Sequence, residues 1–307
     1  LGRVDNSIVR EPGTRIPKIP GTSLHGAIRS YAAYLNGTPE AAGQKHDDLR
    51  VKGDINKNPV CYAFGYIAKA KNGSDEVTAY SGVVNIFDAQ VLLFPVYSME
   101  GPVWVTTIGR LRAAGFTFNN SEETQEQPEK EKIWATWDRD ESLNLGWLMV
   151  DVKGKIQISP PSEWEEDERW KAIRDRIVVV HESLFAHVVN SNLEVRTSVS
   201  INPKTGAAEE GALFTYEALP RATFLTMEVV VDDYRKGWKV DFLCEELKKH
   251  LIRKKDSPIC LVEAGLRMIE YLGVGGMGTR GFGRVAMIGE PIDEVVPHST
   301  SVPNSGE

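Results

Sequence analysis

Two segments that alternate apolar and polar residues, Leu193–Ile201 and Gly211–Tyr216, flank the turn Asn202-Pro-Lys-Thr-Gly206. Alternation of period two on both sides of an Asn-Pro…Gly turn predicts a long antiparallel hairpin, since such strands find each other through the turn alone. Strand-like runs lie on either side of it. Val83–Tyr97 is dominated by β-branched and aromatic residues and reads as one or two strands, Phe224–Val231 as another, and Arg284–Ile288 as a last one. Helical spacing appears in Ser23–Leu35, with apolar residues at 24, 27, 28, 31, 32 and 35 and with Thr22 or Ser23 able to cap it. Helices are also expected over Asp241–Lys254 and Pro258–Leu272, and from Ser162 to Trp170, where the first turn is acidic. Residues 36–60 are polar and rich in Gly, Asn and Asp, and residues 119–132 read as an acidic loop. Strands and helices are interleaved, with no exact repeat and no long Pro- or Ser-rich linker, which predicts a single α+β domain with hairpin-rich insertions.

Of the 307 residues 41% are hydrophobic and 26% charged, which excludes disorder, collagen and coiled coil. The longest apolar run, Val91–Tyr97, is broken by Pro95 and is far below the roughly 18 residues of a membrane span, so a soluble protein with no membrane partner is expected. Cys61, Cys244 and Cys260 are odd in number and in no CxxC pattern, which argues against a disulfide framework or a structural zinc site and fits a reducing cytoplasm. The chain opens at Leu1 in a loop-like stretch, so a first strand is expected ahead of it.

The formal net charge of −7 argues at first against a nucleic-acid partner. Its distribution reverses that argument. Residues 121–170 hold fourteen acids and six bases, and the tail 290–307 holds four acids and no base; the rest carries 30 bases and 25 acids, a balance of +5. Arg3, Arg10, Arg15, Lys18 and Arg29 make the first 35 residues basic, and Arg280 and Arg284 do the same for residues 273–289.

Gly276-Met-Gly278-Thr-Arg-Gly281 matches GxGxxG, but a dinucleotide site needs a strand before the loop and a helix after it, and here the order is reversed. No HRD or DFG triplet supports a kinase. Six glycines in the eleven residues 273–283 exceed what a helix-to-strand turn needs, so a backbone that approaches a ligand is expected, with Arg280, Phe282 and Arg284 placed for phosphate contact and base stacking. His46-Asp47 sits in a loop-like stretch without the flanking ligands of an HD phosphohydrolase, and no GxSxG elbow supports a hydrolase triad. Asp5 by itself reads as a turn aspartate.

Five segments in order resemble the RAMP superfamily of CRISPR-associated proteins, and within it the repeated backbone subunits of type III-B Cmr effector complexes. They are Gly2-Arg-Val-Asp-Asn-Ser-Ile-Val-Arg-Glu11, Ile19-Pro-Gly-Thr-Ser-Leu-His-Gly-Ala-Ile-Arg-Ser30, Phe87-Asp-Ala-Gln-Val-Leu-Leu-Phe-Pro-Val-Tyr-Ser-Met-Glu-Gly101, Glu209-Glu-Gly-Ala-Leu-Phe-Thr-Tyr-Glu217 and Gly275-Gly-Met-Gly-Thr-Arg-Gly-Phe-Gly-Arg284. The first, second and last are shared with type III-A counterparts; Phe94–Gly101 and the chain length favour type III-B.

The resemblance implies a ferredoxin-like (RRM-like) palm with a β-hairpin thumb and loop insertions: one domain over 1–289, a thumb at about 190–221, an acidic insertion at about 119–170 and a tail over 290–307. It implies partners: guide RNA, target RNA, copies of the chain stacked head to tail, and other Cmr subunits. It implies cleavage of target RNA at regular intervals, where the thumb unstacks a nucleotide and lets its 2′-hydroxyl attack the adjacent phosphate. The catalytic role falls on Asp5, which is also expected to hold a divalent metal ion such as Mg, with Tyr216 and Glu217 supporting it. RNA binding falls on Ser23, His25 and Arg29 in the first helix and on Gly276, Gly278, Thr279, Arg280, Gly281, Phe282 and Arg284. Relatives usually carry lysine where this chain has His25, which brings little charge near pH 7. Two other readings are a non-catalytic guide-binding subunit and a guide-processing endonuclease. The latter usually relies on a histidine, and none is near Asp5 in the sequence.

Overall fold

The computed structural model describes residues 4–43, 45–46, 57–69, 77–120, 127–251 and 256–293. The helical spacing of the first segment is realised as a helix over Gly21–Leu35, which buries Leu24, Ile28, Ala32 and Ala33. Neither Thr22 nor Ser23 caps it; the Gly21 N–H donates instead to Asp88 Oδ1 at 2.7 Å, a remote carboxylate in the role of a local cap. This helix packs on Ile259–Leu272, where Gly265 lies directly against Ile28, and on the short helix Pro59–Phe64.

Ala89–Ser98 is the spine of a mixed sheet that joins nine strands among the described residues. It runs antiparallel to Gly101–Thr106, which lies parallel to Ile177–Val179. That strand is antiparallel to Lys132–Ala135, which is parallel to Leu148–Ser159, the last neighbour of the edge strand Leu143–Leu145. Residues 127–170, expected as an acidic insertion, therefore supply strands to the sheet and keep their charges on its outside: Val150, Val152 and Ile156 point in, and Asp151, Lys153 and Lys155 point out.

The central strands of the sheet are buried on both faces, which is why they read as nearly continuous apolar runs. Phe94, Val103, Ile133 and Val178 belong to one core, and Leu93, Trp104, Trp134 and Ile177 to the other. A third core joins the first and last helices to Pro59–Phe64. Cys61 and Cys260 lie in it, and burial pushes their thiols up to about 11 and about 12, which leaves them protonated and unreactive. No helix among the described residues is long and apolar enough to cross a membrane.

The hairpin forms as expected, Glu194–Ile201 against Ala208–Ala218, and is mostly exposed. Asn202 closes its turn: its Oδ1 accepts the Lys204 N–H at 2.9 Å and its carbonyl accepts the Gly206 N–H at 2.9 Å.

Four expectations are revised. Phe224–Val231 divides into Phe224–Thr226, which joins the spine, and Val229–Val231, which pairs with Val84–Ile86 in a separate ribbon. Ser162–Trp170 forms two one-turn helices, Ser162–Glu165 and Glu168–Lys171, with Asp167 capping the second. Over 241–254 the described part is the 3-10 turn Val240–Phe242 and the helix Glu245–His250. Arg284–Ile288 is not a strand: the segment runs on to those short helices, where Gly289 N–H donates to Asp167 Oδ2 at 3.0 Å and Glu290 N–H to the Glu163 carbonyl at 3.1 Å. His46 sits in the short strand Lys45–His46, and Asp47 lies outside the described residues.

Candidate nucleic-acid interface

Asp5 lies in an extended segment docked on the base of the hairpin. Its N–H and that of Asn6 donate to the Thr215 carbonyl at 3.1 Å, Asn6 bridges Tyr216 in parallel sense, and the Glu217 N–H donates to the Asn6 carbonyl at 3.1 Å. The exposed Asp5 carboxylate is oriented by the same residue: Oδ2 accepts the Thr215 N–H at 2.8 Å and the Thr215 hydroxyl at 3.2 Å. A carboxylate held this way on an exposed surface can accept a hydrogen bond from a substrate hydroxyl.

The expected supporting roles of Tyr216 and Glu217 become physical ones, and neither is presented as a free catalytic group. Tyr216 is 7% exposed, and its ring packs between Phe214 and Phe282, at 5.9 and 5.2 Å. The Glu217 carboxylate pairs with Arg10 at 2.8 Å.

The glycine-rich segment closes on itself at a narrow neck. Val274 N–H donates to the Gly283 carbonyl at 2.9 Å, and a Cβ at Gly283, whose φ is +77°, would overlap the Val274 carbonyl oxygen. Between these points Gly276 and Gly281 face open space, and Gly278, Thr279 and Arg280 form an exposed 3-10 turn. The six glycines thus divide between neck and presented backbone. The Arg280 guanidinium lies 5.6 Å from the Phe214 ring, and that of Arg196 lies 4.7 Å from Phe282. Phe282, expected to stack on a base, is half-buried and joins the loop to the hairpin instead. Arg284 is exposed and donates from Nε to the Glu270 carbonyl at 2.7 Å.

The first helix divides differently from expectation. Ser23 is exposed. His25 is half-buried with its ring edge on Phe64 at 5.3 Å, and burial, then the charge of Arg29, lowers its pKa and holds it neutral. Arg29 is not an RNA contact: it is 2% exposed and donates to the carbonyls of Ala41, Phe64 and Gly43 at 2.9, 3.1 and 2.7 Å. Tyr31, which sequence reasoning passed over as a core residue, donates its hydroxyl to the Gly273 carbonyl at 2.7 Å and ties the helix to the loop neck. Thr215 and Arg196 were also missed, because only the fold brings them to Asp5 and Phe282.

The residues present do not fit a divalent ion held by the protein. Asp5 supplies one carboxylate already engaged by Thr215, Glu217 is paired with Arg10, and among the described residues no three His, Cys, Asp or Glu side chains converge.

The Asp5 segment, the hairpin base and the glycine-rich loop thus meet in one place from opposite ends of the sequence. Comparison with known proteins matches the same span. The chain is 27% identical over 302 residues to the CRISPR system Cmr endoribonuclease Cmr4 of Pyrococcus furiosus, covering 93% of this chain and 88% of that one. Its fold is similar to a chain of the type III-B Cmr-beta complex in the apo state, with a TM-score of 0.55, 17% identity and coverage of 92% and 87% of the two chains. A chain of Cmr-beta bound to cognate target RNA gives 0.53, 16% identity and coverage of 90% and 85%. The sequence profile of the RAMP superfamily runs from residue 1 to 286, through all three converging segments, and the chain belongs to that superfamily.

Proposed function

We propose that the chain is a repeated backbone subunit of a type III-B CRISPR ribonucleoprotein, which binds guide RNA, stacks head to tail and cuts complementary target RNA at regular intervals. Similarity over 93% of the chain to a relative named an endoribonuclease supports this, as does a fold shared with a chain of a complex solved on target RNA. In this reading the mixed sheet with the first and last helices is a ferredoxin-like palm and the exposed hairpin is the thumb. Thr279, Arg280 and Gly281, with Ser23 and His25, follow the guide backbone; neutral His25 contributes a hydrogen bond or a stacking face in place of charge.

One observation carries the catalytic assignment: Thr215 holds the Asp5 carboxylate at the base of the element that would unstack the target. There Asp5 accepts the hydrogen bond of the ribose 2′-hydroxyl and turns its oxygen toward the neighbouring phosphorus. Attack passes the 2′-hydroxyl proton to Asp5 and forms the new O–P bond as the 5′-oxygen leaves and takes a proton from water, giving a cyclic phosphate and a free 5′-hydroxyl. A complex assembled with Asp5→Ala should retain guide and target while cleavage falls at least about a hundredfold. Unchanged cleavage by an intact complex would refute the assignment.

A further inference from the structure

We infer that Arg10 is the positioning residue of this site, a three-way fork that sets the height of the Asp5 segment on the hairpin; the inference rests on the reading of Asp5 above. Its three nitrogens reach three different partners. Nη2 donates to Glu217 Oε2 at 2.8 Å, Nε to Asn190 Oδ1 at 2.8 Å, and Nη1 to the Ile8 carbonyl at 3.1 Å. These partners belong to the hairpin strand Ala208–Ala218, the helix Glu182–Ser191 and the Asp5 segment itself.

Each partner is fixed in turn. Asn190 uses Nδ2 to donate to the carbonyls of Ala186 and Arg15 at 2.7 and 3.1 Å, so its Oδ1 is aimed at Arg10. Glu217 Oε2 also accepts the Ile8 N–H at 3.2 Å, so one carboxylate oxygen holds two points of the segment. The Arg10 and Glu217 side chains are only 14% and 15% exposed, which shields the pair from salt.

Thr215 and Glu217 are two residues apart and so project from one face of their strand. Thr215 holds Asp5 at one end of the segment, and Glu217, through Arg10, holds the other end. Asp5 is thereby placed relative to the hairpin that presents the substrate, and in-line attack is sensitive to displacements of about 1 Å. Lysine keeps the charge of arginine but cannot serve three acceptors in a fixed fork. Glu217, with an oxygen occupied by two donors, is an anchor and not a proton carrier.

The test uses the assembled complex with guide RNA, read as single-turnover cleavage over a range of target concentrations. Arg10→Lys should lower the maximal rate about tenfold or more, with target affinity, guide content and assembly within about twofold of wild type. Asn190→Ala, which removes one arm of the fork, should lower it about threefold. Glu217→Gln keeps an acceptor oxygen but loses the charge that pairs with Arg10, and should lower the rate about threefold or more while keeping the wild-type pH–rate profile. A wild-type rate for Arg10→Lys overturns the inference. So does an inactive Glu217→Gln complex with a flattened profile, which would make Glu217 a proton-transfer group, and so does loss of assembly in both Arg10→Lys and Asn190→Ala, which would make the node a folding element. Asp5→Ala separates the two layers: full activity there removes the reading of the site, whereas an inactive Asp5→Ala beside a normal Arg10→Lys removes only the fork.

Discussion

A guanidinium with no carboxylate partner among the described residues, buried among carbonyls, is a costly group to place in a core, and Arg29 is held by spending its fork on Ala41, Gly43 and Phe64. Burial lowers its pKa; a guanidinium is not deprotonated in proteins, so its three bonds are charge-assisted. Arg29→Met should cost roughly 2–4 kcal/mol of stability, because it leaves buried carbonyls without donors. Urea denaturation of the isolated chain measures this, and guide affinity of the folded complex should be unchanged; a weaker guide complex at wild-type stability would restore Arg29 to the RNA surface. In the sequence Arg29 lies within the first helix, in a basic segment, and family resemblance made it an RNA contact. Its burial depends on residues 12 and 35 positions further on, which no local pattern reveals. Asp5 is the opposite case. The residues around it were legible through family resemblance, while its orientation by Thr215, 210 residues away, was not.

Among the elements, the hairpin was legible because both of its determinants, alternation and the Asn202 turn, act between near neighbours. The segment 284–288 was misread because its apolar residues satisfied a strand pattern, whereas a strand also needs a free sheet edge in reach. The segment found other partners: the Arg284 side chain donates to the Glu270 carbonyl, and the Gly289 and Glu290 N–H groups donate to Asp167 and Glu163. The glycine-rich loop was expected to approach a ligand; its division into a neck and a presented backbone was not legible. Gly283→Ala should open the neck and reduce guide retention in purified complexes severely, since φ of +77° and the Val274 carbonyl both oppose a side chain. Gly276→Ala, with nothing within 4 Å of the added methyl, should leave assembly intact and change guide retention by less than about threefold. Equal behaviour of the two variants would contradict the division.

At the scale of the whole molecule, total charge was a poor guide to the partner. Acids are concentrated in residues 121–170 and the tail, while Arg280 sits on an exposed turn packed against the hairpin. Arg280→Ala should weaken guide binding and reduce the slope of log K against log salt by about one. Filter binding across a salt series measures this, and an unaltered slope would count against the contact.

The mixture of fold elements and the hairpin followed from the sequence alone, because hydrophobic period and turn chemistry operate within a few residues. Which strands run parallel, which arginine is buried and which is exposed, and how Arg10 spans three segments were decided only in the tertiary structure. Such choices depend on partners distant along the chain, and burial turns the same guanidinium from an RNA-binding charge into a structural donor.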